Sequence, residues 1–170
     1  HGVFRRQRQM CIRDRDIINK IVKLLPCENT VLYSEIDGNF PNHHPDPSNE
    51  SNLIKLKQEV KRHNADFGFA FDGDGDRVGV VNNKLELIAG DILTTFLAQS
   101  ISEKKYPIIL DVKSSQKCKQ FLENLDYEVL IWKTGHSHIK NKMKKIKSQF
   151  AGEMSGHIFF GDTYFGYDDA

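Results

Sequence analysis

The sequence predicts an α/β fold with mixed or parallel sheets. β-rich apolar runs alternate with stretches of helical period along most of the chain. Turn residues punctuate nearly every change between the two. The composition is that of a globular protein, at 39% hydrophobic and 28% charged residues, which argues against wholesale disorder. A length of 170 residues allows one domain, or a whole domain plus part of another.

The elements follow in order. Ile17, Ile18, Ile21, Val22, Leu24 and Leu25 fall at helical spacing, so Asp16 to Leu25 reads as a helix stopped by Pro26. Thr30 to Tyr33 is a short β-rich run. Asp37 to Asn49 holds three prolines and reads as a loop. Ser51 is placed to cap a helix reaching about His63, with Leu53, Leu56 and Val60 on one face. Phe67 to Phe71 reads as a buried strand, Asp72 to Asp76 as a loop, and Arg77 to Val81 as a second strand. Asp91 is expected to cap a helix to Lys104. A strand at Pro107 to Val112, a helix at Ser115 to Leu125 and a strand at Glu128 to Lys133 come next. Helix Ser137 to Ser148 buries Ile139, Met143 and Ile146, with Phe150 extending the stripe; its lysine-rich opposite face reads as solvated. Phe150 to Tyr167 reads as strand and loop.

The first fifteen residues stand apart. Five of the seven arginines lie between Arg5 and Arg15. This segment reads as the in-frame translation of a sequencing-library adapter, which explains its letters better than a phosphate-neutralising arm or an exposed tail. Without residues 1–15 the balance is 19 basic against 22 acidic residues, so neither a nucleic-acid partner nor a membrane is expected. No apolar run approaches the roughly 18 residues of a membrane-spanning helix. Three scattered cysteines, Cys11, Cys27 and Cys118, form no C-x-x-C pair and fit a reducing compartment. Deleting residues 1–15 is expected to leave the melting temperature unchanged; a clear fall on thermal denaturation would contradict the adapter reading.

The sharpest feature is Phe71-Asp72-Gly73-Asp74-Gly75-Asp76-Arg77. Alternate carboxylates separated by glycines can converge on one point. At ~5 Å and an effective dielectric near 20 each pair repels by about 3 kcal/mol, a cost that a hard cation removes. All-oxygen ligands favour Mg²⁺ or Ca²⁺. A plain acidic turn explains the repeated Asp-Gly less well. An EF-hand is excluded: its sixth position would be Arg77 rather than Gly and its twelfth Asn83 rather than Glu, and the flanks are strands. The calcium-binding module fails with it. His136-x-His138 lacks a third local ligand for zinc.

This loop, followed by Gly152-Glu153-Met154-Ser155-Gly156-His157, resembles the α-D-phosphohexomutases, and most closely the bacterial phosphomannomutase/phosphoglucomutases. Two further stretches match in the same order, Asp37-Gly38-Asn39-Phe40-Pro41-Asn42-His43-His44-Pro45 and Trp132-Lys133-Thr134-Gly135-His136-Ser137. The resemblance covers residues 16–170. It implies Mg²⁺-dependent, reversible phosphoryl transfer between C1 and C6 of a mannose or glucose phosphate. A phosphoserine outside this chain would serve it, through a hexose 1,6-bisphosphate. It also implies mixed-sheet α/β domains: residues 16–86 as the end of domain 2, residues 87–170 as most of domain 3, and domains 1 and 4 absent. A cytoplasmic location is expected, in keeping with the sparse cysteines.

The resemblance assigns residues as well. Asp72, Asp74 and Asp76 match the metal ligands; Lys113 matches a lysine near the reacting oxygen, His136 a histidine in the substrate cleft, and Arg77, next after the loop, is placed to reach the same phosphoryl group. Glu153, Ser155 and His157 match the sugar-binding loop. The chemistry suits these roles: a carboxylate accepts from two vicinal hydroxyls, and an imidazole titrates near neutrality. Taken singly, Lys113 would read as a solvated strand end, Arg77 as a surface cation and His136 as a structural histidine. Ile92 departs from the family, which often has Arg there. Met154 stands where phosphoglucosamine mutases, the alternative within the family, usually have Gln.

Overall fold

Asn49 opens the helical segment that begins at Glu50 in this computed structural model, which describes residues 20–22, 24–33, 44–101 and 103–161. Its side-chain oxygen accepts from the Ser51 N–H at 3.0 Å and from the Ser51 hydroxyl at 2.8 Å. Asn49 is therefore the cap, and Ser51 is not. A 3₁₀ turn, Glu50–Leu53, leads into helix α1, Ile54–His63. The cap lies earlier than predicted because the tight turn adds residues ahead of the α-helix. Asn64 ends α1 in the left-handed conformation at φ 50°, its N–H returning to Lys61.

Of the helix expected over 16–25, residues 20–22 and 24 are helical, and the rest lies outside the described residues. Residues 30–33 form no strand. A β-rich run becomes a strand only where a neighbour pairs its backbone groups, and propensity supplies no neighbour.

Strands β1 (Phe67–Phe71), β2 (Val78–Asn82) and β3 (Leu87–Ile88) form an antiparallel sheet in that order. β1 differs from the buried strand predicted: Phe67 is 54% and Phe69 57% exposed. An antiparallel sheet needs cover on one face only, and here α1 packs on β1 with Leu53 and Val60 buried.

The second sheet has the order β5-β4-β6-β7. β4 (Ile108–Asp111) runs parallel to β5 (Val129–Trp132) and β6 (Phe150–Gly152), and β6 pairs antiparallel with β7 (Ile158–Phe160). Its faces divide by parity. Ile108, Leu110 and Phe150 pack with Ala98, Cys118 and Leu122 from helices α2 (Gly90–Ile101) and α3 (Gln116–Glu123). Ile109, Ala151 and Phe159 pack with Ile139 and Met143 from helix α4 (His136–Ile146). A strand covered on both faces reads as an unbroken apolar run, as Ile108-Ile109-Leu110 does. Each of the three is fully buried, and truncating such a side chain to Ala costs about 2–5 kcal/mol.

The parallel crossovers bring the carboxyl ends of β4, β5 and β6 to one edge of the sheet. The segments 112–115, 133–135 and 153–157 leave from there, where an α/β sheet presents groups to ligands. Among the described residues no helix is long and apolar enough to cross a membrane.

Candidate functional site

The carboxylate loop joins β1 to β2. Asp72, Asp74 and Asp76 each present an oxygen within 4.8 Å of the others. Gly75, at φ 78°, takes the left-handed turn that brings them together. The loop closes on itself: the Asp72 N–H donates to the Arg77 carbonyl at 3.2 Å, and the Arg77 N–H to Asp72 Oδ1 at 3.1 Å. Arg77 Nε also donates to Asp72 Oδ2 at 2.6 Å, a charge-assisted bond to a side chain only 1% exposed. This contact was not foreseen. Arg77 is committed first to holding Asp72, with Nη1 4.0 Å from Asp46. Burial pushes Asp76 up to about 7, helped by the hydrogen bond its protonated carboxyl donates to Asp72 and by the charge of Asp72. Three crowded carboxylates that hold a proton are a donor set suited to a cation, which would displace that proton.

The second half of the site is the turn between β6 and β7. Glu153 is 4% exposed, and its Oε1 accepts from the Gly135 N–H at 2.6 Å, at the start of α4. Burial alone would raise its pKa. His157 and the Gly135 N–H outweigh burial, with help from His136, and hold it below the usual carboxylate range. His157 Nδ1 lies 3.5 Å from Glu153 Oε2 and 3.9 Å from Asp76 Oδ2. Its ring stacks on Phe159 at 4.3 Å and lies 6.2 Å from the His136 ring.

The two halves are spliced through the backbone. Arg77 and His157 form an antiparallel bridge, and the Val78 N–H donates to the Gly156 carbonyl at 3.1 Å. Gly156 has φ 84°, and a Cβ there would collide with the Val78 carbonyl oxygen. Only glycine permits both the turn and this approach. The structure thus brings Asp72, Asp74, Asp76, Arg77, Glu153, His157 and His136 into one region.

Lys113 and Ser155 are placed less tightly. Ser155 is half-buried in its turn, and Lys113 is exposed on the segment after β4. Ile92 is 55% exposed in the first turn of α2. Asp91, expected as a helix cap, lies inside that turn: its Oδ1 accepts from the Ile92 N–H and its Oδ2 from the Ser115 N–H, each at 2.8 Å. The sequence reading also passed over Asp111, which is fully buried and accepts from the Ser114 hydroxyl at 2.8 Å and the Thr134 hydroxyl at 3.1 Å. A carboxylate closing the run Ile108-Ile109-Leu110 was the available signal. Of the Asp37–Pro45 motif, residues 37–43 lie outside the described residues.

The chain is similar to known proteins over most of its length. Residues 14–85 match the phosphoglucomutase/phosphomannomutase alpha/beta/alpha domain II, and residues 89–170 the alpha/beta/alpha domain III. The chain is 47% identical over 152 residues to a phosphomannomutase/phosphoglucomutase of Pseudomonas putida, covering 88% of this chain and 33% of that protein. A phosphoglucomutase of Neisseria gonorrhoeae is 45% identical over the same shares. The crystal structure of a phosphoglucomutase/phosphomannomutase family protein from Burkholderia thailandensis superposes with a TM-score of 0.79 at 41% identity, covering 89% of this chain and 33% of that one. The chain therefore spans about a third of the length of the relatives it matches. Two consecutive domain matches, relatives at this identity and a shared fold lead to one conclusion: the chain belongs to the phosphoglucomutase/phosphomannomutase family.

Proposed function

We propose that this chain is the portion of a phosphomannomutase/phosphoglucomutase that holds the metal and receives the sugar. Residues 16–86 are the end of the second domain and residues 87–170 most of the third. The substrate is a hexose phosphate, mannose or glucose 1- or 6-phosphate, and the phosphoserine and the phosphate-binding loop come from domains 1 and 4 of the same polypeptide. The observation that carries this reading is the splice between Arg77–Val78 and Gly156–His157, which sets the carboxylate triad beside the Glu153 turn.

In this reading Asp72, Asp74 and Asp76 hold Mg²⁺, which supplies charge neutralisation for the phosphoryl group in transfer. Glu153, ionised and fixed by Gly135, accepts from a pair of vicinal hydroxyls, with Ser155 as a further hydrogen-bonding group. His157 and His136, neighbours across the region, serve proton movement at a sugar hydroxyl, and Lys113 offers a cation from the strand end. Arg77 holds Asp72 in place for the metal through Nε, which also lies 3.8 Å from Asp76, and its Nη1 lies near Asp46.

Mutase activity is tested by ³¹P NMR on the full-length polypeptide carrying these residues, with mannose 1-phosphate and a bisphosphate primer. Interconversion with mannose 6-phosphate is expected; failure to convert either mannose or glucose phosphates contradicts the reading.

The state of Asp76 adds a pH test. Its folded value of about 7 lies above its unfolded value of 3.8. Stability from this group is therefore fully present below the unfolded value and is lost as pH rises through about 7. The metal-free melting temperature is expected to fall between about pH 5 and about pH 8, and added Mg²⁺ should raise it more at the higher pH. A Mg²⁺-induced shift of equal size at both values would count against the triad as the binding site.

A further inference from the structure

Two buried carboxylates outside the metal loop converge on the segments that carry Lys113 and His136. Asp111, fully buried at the carboxyl end of the central strand β4, accepts from the hydroxyls of Ser114 and Thr134. Ser114 follows Lys113 directly, and its N–H also donates to the Asp111 carbonyl at 3.1 Å, closing a tight turn over Val112 and Lys113. Thr134 lies two residues before His136, on the segment that also carries the Gly135 N–H bound by Glu153. Asp91, 2% exposed, secures the same Lys113 turn from the other side by accepting the Ser115 N–H.

Burying a carboxylate is costly, and nothing in the packing of the sheet demands one at this position. The strand ends in an apolar core where Ile108, Ile109 and Leu110 are each fully buried. A carboxylate there is suited to fixing two hydroxyl-bearing segments in one register, because its two oxygens accept from different segments at once. Oδ1 takes the Ser114 hydroxyl and Oδ2 the Thr134 hydroxyl.

We propose that Asp111 is a positioning residue for the phosphoryl-transfer reaction: it clamps the Lys113 turn to the Thr134–His136 segment, with Asp91 as the second anchor of that turn. This rests on the mutase reading, since Lys113 and His136 take their roles from it. The clamp acts through those two residues and makes no contact with substrate. Loosening it lets both side chains wander from the reacting groups, and small misplacements of such groups are costly in rate.

Asp111→Ala leaves a hole in the core and can unfold the sheet, so the decisive variants remove one donor each. In the full-length polypeptide, Thr134→Val and Ser114→Ala should each lower kcat about tenfold, in the range seen when supporting hydrogen bonds behind a site are lost, with KM little changed. Thr134→Ser keeps the hydroxyl and should retain kcat. Ser148→Ala is the comparison for a purely structural loss: its buried hydroxyl donates to the Phe150 carbonyl at 2.9 Å, ahead of β6 and away from the site edge. It should lower the melting temperature as much as the other two and leave kcat alone. Amide exchange gives a readout independent of turnover, and Thr134→Val should speed exchange at Gly135 and His136.

Wild-type kcat in Thr134→Val and Ser114→Ala, or losses matched by Ser148→Ala, would overturn the clamp. A wild type without mutase activity would overturn the mutase reading and with it the role in transfer; unchanged exchange at Gly135 and His136 in Thr134→Val would overturn the clamp itself, whatever the activity.

Discussion

Asp74→Asn in the full-length polypeptide is expected to abolish measurable mutase turnover, a loss of about a thousandfold or more, while the fold persists. In the proposed reading, removing one charged ligand from a three-carboxylate site would weaken both the hold on Mg²⁺ and the charge it brings to the transferring group. About 4 kcal/mol of lost transition-state stabilisation corresponds to that factor. Asp74 is the right position for the test. Asp72 also holds Arg77 by two hydrogen bonds, so its replacement would disturb the loop as well as the metal. Asp76 lies beside His157. The packing of β1 and β2 does not pass through Asp74, so the melting temperature of metal-free Asp74→Asn should equal or exceed that of the wild type, because one source of carboxylate repulsion is gone. Turnover at the wild-type rate with Mg²⁺ would remove Asp74 from the ligand set.

Residues 16–170 alone are expected to show no mutase activity, even with Mg²⁺ and a hexose 1,6-bisphosphate. None of the motifs on this chain supplies a phosphoserine. Phosphoryl transfer depends on donor, metal and acceptor being held together, and intramolecular placement is worth about 7–11 kcal/mol. A sugar site built from these residues would be weak on its own. Two or three hydrogen bonds from Glu153 and Ser155, at about 1 kcal/mol net each, give millimolar affinity at best. Conversion of mannose 1-phosphate by this segment, followed in the same ³¹P assay, would mean that a nucleophile within the chain had been overlooked.

Much of this was legible before any coordinates. The strand β4 announces itself as three consecutive apolar β-branched or branched residues between Pro107 and Asp111, because a strand covered on both faces has no polar side to alternate with. The carboxylate loop is legible because its chemistry is local: three carboxylates lie within five residues, and the glycines between them supply the turn. What escaped the sequence was long-range or depended on which face was covered. The Asp111–Thr134 bond joins residues 23 apart, and only the parallel register of β4 with β5 brings them together. The Arg77 to Asp72 bond requires the loop to close, which spacing alone does not dictate. Phe67 and Phe69 look like core residues by composition, yet their exposure depends on which face of the sheet α1 covers. The cap fell to Asn49 because a 3₁₀ turn, invisible to a 3.6-residue period, precedes α1.

The proposed function requires the carboxylate loop to be a metal centre set against the Glu153 turn. Anomalous diffraction from crystals of the full-length polypeptide soaked in Mn²⁺ tests this most directly, since Mn²⁺ shares the oxygen-ligand preference of Mg²⁺. One anomalous peak is expected within coordination distance of Asp72, Asp74 and Asp76, and it should vanish in Asp74→Asn crystals. A peak elsewhere, or none at this loop with Mn²⁺ in excess, would contradict the account.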